Sequence, residues 1–217
     1  MSLAHDINRV VHITSGTLAL VIGAFVLVST KGGPFHRRWG KVFVALGLVN
    51  LVAAIIGLVA FQAQPALVAV TVAASYQYMS SLRSLALRHT GPTAIDALLT
   101  LAGIAACTLV LVKMGPGDPS WTPAIGYSTL GYALAVCGYD ASRFLWRDTW
   151  RRVRLIDHGL KMTGFYFAMM SAGIGNLFPS YQPLSQVGPS ALGSVVMIAI
   201  AIKSAMSSRP SRPLPSA

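Results

Sequence analysis

The sequence predicts an all-α integral membrane bundle of seven transmembrane helices, with the N-terminus outside and the C-terminus cytoplasmic. Three observations lead there. Of 217 residues, 54% are hydrophobic and only 11% charged, and the mean hydropathy is +0.61, outside the range of soluble globular domains. The apolar residues gather into runs of about 20, the length needed to cross a hydrocarbon core roughly 30 Å thick. The charge is lopsided, with 17 Lys and Arg against six acids, all aspartate. The cations fall in bursts between the apolar runs rather than along one stripe.

The spans follow in order. The first, 8–30, is closed by the breakers KGGP, and the second, 42–61, ends at QAQP. The third, 66–88, stops at HTGP, and the fourth, 93–114, at GPGDPSWTP. The fifth is read over 124–146 and the sixth over 156–178, which ends at PSYQPLSQVGP before the seventh, 190–206. Gly and Pro mark these connections as turns. The connections leave no room for a soluble domain, so 1–206 reads as one transmembrane domain. The Pro/Ser-rich 207–217 reads as a disordered cytoplasmic tail.

Placing the 31–41 loop in the cytoplasm puts 15 of the 17 cations on that side, leaving only Arg9 and Lys113 outside. That is the distribution of a multi-pass protein of the bacterial cytoplasmic membrane. The net charge of +11 is then a topology signal and an attraction to anionic lipid headgroups, with no nucleic-acid partner implied. The N-terminus lacks a basic n-region and a small-residue cleavage site, so the first span is expected to stay in place. Trp39, Phe61, Trp121, Tyr127, Trp146, Trp150 and Tyr181 fall near the predicted ends, as an interfacial aromatic belt requires. Cys107 and Cys137 read as buried free thiols at different depths.

Polar residues within spans are costly and count as functional candidates. The first two helices each open a glycine stripe with a histidine, His12 in HITSG and His36 in HRRWG. Small residues on one face let helices approach closely, so these histidines can simply hydrogen-bond across a packing seam. The same seams suit a membrane-protein partner or a homo-oligomer. In the sixth span His158 and Met162 share a stripe, and Asp157 can pair with Lys161 at i,i+4. Gln77, Arg83, Asp96, Asp140 and Arg143 fall in the same half of the bundle, outlining a polar inner vestibule or a set of mutually neutralised charges.

Depth separates the histidines. The gap from His12 to His158 is roughly 20 Å at 1.5 Å rise per residue, far beyond a metal–nitrogen bond of about 2 Å. His36 and His158 can share a depth. Both are read in the first turn of their helices, where free N–H groups with Arg37, Arg38 and Lys161 favour an anion such as a haem propionate, a phospholipid headgroup or a small anionic substrate. His89 reads as a solvated loop residue. A rhodopsin-like pigment would need a lysine deep in the last helix, whereas Lys203 lies at its inner end. Walker, G-x-S-x-G, H-E-x-x-H and paired-Cys motifs are absent, which places catalysis last among the function classes.

The run HITSG through KGGPFHRRWGKVFV, with the later DHGLKMTGFYFAMM and Asn176, resembles a family of bacterial predicted membrane proteins, domain of unknown function 2306. The matching positions are His12, Gly16, Lys31, Gly32, His36, Arg37, Gly40, Lys41, His158 and Met162. The family pattern has an aromatic near the late histidine, where this chain has Asp157. The resemblance implies an integral membrane protein and supplies no activity. Three classes remain. One is a cofactor-binding or redox-associated protein, with haem b as the group and His36, His158, Arg37, Lys161 and Met162 around it. There His12 is an outer quinone or proton contact. Another is a small proton-coupled solute transporter using Asp96, Asp140 and Asp157. The last is a non-catalytic assembly protein.

Overall fold

The computed structural model describes residues 2–61, 65–87, 90–115, 117 and 121–207. Among them all regular structure is helical: α1 Leu3–Val28, α2 Pro34–Ala60, α3 Pro65–Ala86, α4 Ala94–Met114, α5 Pro123–Ser142, α6 Arg147–Leu177 and α7 Leu184–Ser207, with a 3-10 turn at Pro179–Tyr181. His89, Arg88 and the tail beyond Ser207 lie outside the described residues.

Local chemistry sets the ends. Ser2 caps α1 by accepting the His5 N–H. At the other end Lys31 Nζ donates to the Val26 and Leu27 carbonyls at 3.3 and 2.5 Å, satisfying groups the helix leaves open. Gly32, at φ +76°, takes the left-handed turn that a side chain would resist. Pro34 then starts α2 at a position where a missing N–H costs nothing. Thr93 and Asp96 form a capping box on α4.

Four helices start a turn or more earlier than the apolar pattern predicts: α1 at Leu3 rather than 8, α2 at Pro34 rather than 42, and α6 and α7. α6 begins at Arg147, nine residues before 156, and α7 begins at Leu184 with Pro189 inside it. Hydropathy marks where a chain can meet lipid, while RDTWRRVR continues the helix with a polar surface. His158 is therefore in the interior of α6, three turns past its first residue, where its N–H groups are already bonded.

Side-chain pairs fix the directions. His12 meets Asn50 and His36 meets Val26, so α1 and α2 are antiparallel. Ser81 meets His158 and Ser84 meets Asp157, so α3 and α6 are antiparallel too. Arg83–Asp96 sets α4 against α3, and Ser171–Ser190 sets α7 against α6. Consecutive helices thus alternate. The alternation gathers Lys31, Arg37, Arg38, Lys41, Arg83, Arg143, the α6 arginines and Lys203 at one end, with Arg9 and Lys113 at the other.

The centre is α3 and α6. Ala19, Phe43, Leu51, Ala74, Tyr78, Phe165 and Met169 form one core cluster, and Ala69, Ala73, Cys107, Val110, Trp121, Leu130 and Ala133 a second across α3, α4 and α5. Gly47 admits the Phe165 ring and Gly103 the Tyr76 ring, where a Cβ would stand 2.9 and 2.6 Å away. Four helices, α1, α2, α4 and α7 up to Met206, are long and apolar enough to cross a membrane, yet 28% or less of each is buried. Their outward faces, with Val28, Val59, Leu98 and Val112 all exposed, need a lipid or protein cover. By contrast α3, α5 and α6 turn hydroxyl, amide and charged groups toward one another, and so score lower on hydropathy. Trp121 and Trp150 are buried rather than part of an outer belt, and both cysteines are buried free thiols.

Candidate functional site

The chemistry concentrates where α3, α5 and α6 meet at the cation-rich end. Asp140 and Arg143 come from the end of α5, Asp157 and Lys161 from one face of α6, and Ser80 and Ser84 from one face of α3. All six are at most 4% exposed. Lys161 Nζ reaches Asp140 Oδ1 at 2.5 Å and Asp157 Oδ1 at 3.0 Å, and donates to Ser80 Oγ at 2.9 Å. Arg143 Nε lies 3.2 Å from Asp140 Oδ1, and its Nη1 lies 3.4 Å from Asp157 Oδ2.

The carboxylates are fully engaged. Asp140 Oδ2 accepts from the Tyr76 hydroxyl at 2.7 Å and from Ser80, while Asp157 Oδ2 accepts a short bond from Ser84. The Arg143 guanidinium sits 5.0 Å from the centre of the Trp150 ring, a cation–π contact. Trp150 is fully enclosed, and its indole N–H has no hydrogen-bond partner among the described residues. Two cations face two carboxylates, so the cluster is neutral. In an apolar interior that balance is what makes four ionised groups tolerable.

Of the two arrangements read from the sequence, a polar inner vestibule or a set of mutually neutralised charges, the geometry here is that of paired charges. Asp96 stands apart from the cluster. Its carboxylate takes a bidentate bond from Arg83, with Nε at 3.0 Å and Nη2 at 3.1 Å, and closes the α4 cap through the Thr93 N–H at 2.8 Å. Lys161 is turned into the cluster, not toward His158. Met162 packs against the core around Phe165. Arg37 is exposed at the start of α2.

Each of the three histidines clips one helix to another through Nδ1. His12 Nδ1 meets the Asn50 carbonyl at 3.2 Å. His36 Nδ1 meets the Val26 carbonyl at 3.3 Å and Ser29 Oγ at 3.2 Å, and Ser29 gives its own proton to Val26. His158 Nδ1 meets Ser81 Oγ at 2.8 Å and the Ser81 carbonyl at 3.1 Å, while the Ser81 hydroxyl donates to the His158 carbonyl. With acceptors on every side, the proton belongs on Nδ1, so Nε2 carries the lone pair. All three rings are half-buried.

His12 is remote from His158. Asn50, on which it rests, contacts Met169, which lies about 16 Å along α6 from His158 at 1.5 Å per residue. No group of three His, Cys, Asp or Glu side chains among the described residues is arranged to hold a metal ion. Sequence reasoning missed Ser80, Ser84 and Tyr76, which complete the cluster. Their only signal is a run of small and polar residues, SYQYMSSLRS, in an otherwise apolar helix. Comparison with protein-family models, with curated proteins and with solved structures finds no match.

Proposed function

We propose that this is a multi-pass protein of the bacterial cytoplasmic membrane whose seven helices all cross, with the cation-rich end inside. Its buried Asp140–Arg143–Asp157–Lys161 cluster handles protons in the coupled transport of a small solute. The observation that carries this is four ionisable groups, enclosed and mutually paired, in a bundle with apolar outer faces. A proton arriving on Asp157 leaves Lys161 and Arg143 with one carboxylate between them and takes the cluster from neutral to +1. That charge is unstable in an apolar interior, so protonation favours a rearrangement of α6 against α3 and α5. Ser84 and Ser80 line the route between the carboxylates, and each hydroxyl can both donate and accept. The resemblance to domain of unknown function 2306 is part of this proposal and adds no activity.

The test is infrared difference spectroscopy of the protein in lipid, following the carboxyl stretch during a pH titration. A reversible band that vanishes in Asp157→Asn or Asp140→Asn, and survives in Asp96→Asn, supports the reading. A wild-type protein with no titrating buried carboxyl throughout its folded range rejects it.

The bare Nε2 atoms of His36 and His158 favour a second reading, a bound haem b. The donor set fits in part: two neutral imidazoles are oriented by carbonyls, as metal-ligating histidines usually are. Neither Lys161 nor Met162 is free to join them. A Soret band lost in His36→Ala and in His158→Ala would support haem. A colourless protein with background metal content would exclude it.

A further inference from the structure

The interior cations are all neutralised, but those on the first turns of α6 are not. Ser84 faces Asp157 and Ser81 faces His158, so the end of α3 at Ala86 stands level with Leu155. The eight residues 147–154 therefore run on past α3 for about 12 Å at 1.5 Å per residue. Arg147 ties this overhang down, donating from Nε and Nη2 to the Thr90 carbonyl at 3.1 and 2.5 Å. Arg151, Arg152 and Arg154 line a shallow groove with Asp148, and none of the three forms an ion pair with a described residue.

Exposed apolar groups lie at the same end of the bundle. Leu145, 89% exposed, and Phe144 project from the α5–α6 turn, while the Phe35 and Trp39 rings, tilted against each other with centres 6.1 Å apart, lie at the start of α2 near Arg37, Arg38 and Lys41 in sequence. Apolar side chains at the level of unpaired cations match a membrane interface, where rings sit among headgroups and cations meet phosphates.

We infer that the α6 overhang is a binding site for anionic phospholipid, with Arg151, Arg152 and Arg154 holding the phosphodiester of one headgroup and Leu145 and Phe144 resting on its acyl chains. Arginine suits this role because its planar fork matches phosphate oxygens. The proposal rests on the membrane placement above but not on proton transfer. α6 also carries Asp157 and Lys161, so a lipid bound to the overhang bears on the same helix that holds half of the buried cluster.

Native mass spectrometry of the detergent-solubilised protein, titrated with phosphatidylglycerol and with phosphatidylcholine, tests it. The wild type should bind phosphatidylglycerol more tightly, and each Arg→Gln substitution at 151, 152 or 154 should weaken that binding by about fivefold, the effect of one basic residue near an anionic surface. Lys113→Gln, at the opposite end, should leave the preference intact. Equal affinity for the two lipids, or a preference that survives the triple Arg→Gln variant, would overturn the proposal. So would displacement of phosphatidylglycerol by inorganic phosphate at matched ionic strength, which would mark a soluble-anion site. These arginines are at the surface, so the variants should fold. A failure here would leave the carboxyl titration of the buried cluster untouched.

Discussion

Replacing Lys161 by Met removes one positive charge from the closed cluster and leaves the helix backbone alone. The ammonium currently contacts Asp140 at 2.5 Å, Asp157 at 3.0 Å and Ser80 at 2.9 Å. Without it two enclosed carboxylates share Arg143, and the site carries a net charge of −1. Removing one partner of a buried pair costs about 3–5 kcal/mol, because the survivor stays desolvated and uncompensated. At about 2–4 °C per kcal/mol for a chain of this size, the unfolding midpoint should fall by about 6–20 °C. Cys107 and Cys137, at 1% and 0% exposure, are built-in reporters, since a thiol-reactive dye will label them only on unfolding. The double variant Lys161→Met with Asp157→Asn restores neutrality, so its loss should be smaller than the sum of the single losses by about 0.5–3 kcal/mol. A Lys161→Met midpoint within about 2 °C of wild type, or strictly additive losses, would refute the pairing.

Three further outcomes use the same or simpler assays. Gly103→Ala should destabilise by about 1–3 kcal/mol through overpacking, since its Cβ would meet Tyr76 at 2.6 Å and Cys137 Sγ at 3.1 Å. Gly131→Ala, with open space at that position, should be neutral or slightly stabilising. Arg83→Gln should cost about 1–3 kcal/mol: the arginine is 25% exposed, but its bidentate bond goes to a fully buried carboxylate that would lose its charged partner. Asp96→Asn should cost more, since that buried carboxylate also serves the α4 cap. Finally, a membrane-impermeant maleimide should label Lys113→Cys in intact cells and Arg151→Cys only in inverted vesicles. Labelling of both from one side would reject the proposed topology.

The helices were legible because long apolar runs and Gly/Pro breakers leave a strong one-dimensional pattern. Their boundaries were less so: the α6 overhang looks like a loop to any hydropathy reading, yet its arginines continue the helix outside the apolar zone. Asp157–Lys161 was readable from i,i+4 spacing within one helix. The link to Asp140 and Arg143 was not, because it depends on which faces of α5 and α6 turn toward each other. Asp96 shows the converse. It falls in the same half of the bundle as Asp140, but its position three residues after Thr93 is a cap signature, and Arg83 takes up its charge. The histidines were legible as seam residues from H-x3-G, whereas the carbonyl each one contacts belongs to another helix and has no trace in local sequence.

Four enclosed charges are an inefficient way to hold helices together. Apolar side chains of similar volume would do it without desolvation, and such replacements of buried ion pairs are often neutral or stabilising by about 1–4 kcal/mol. A purely structural cluster should therefore be replaceable as a set. The variant combining Asp140→Leu, Arg143→Met, Asp157→Leu and Lys161→Met, with Tyr76→Phe and Ser80→Ala to retire the orphaned hydroxyls, removes every charge together with its principal partners. If the cluster exists to handle protons, this variant should unfold at or above the wild-type midpoint while losing the titrating carboxyl band. If it cannot be obtained folded, although Gly131→Ala and the surface arginine variants are, the charges are holding the bundle in register. The proton reading then loses its main support.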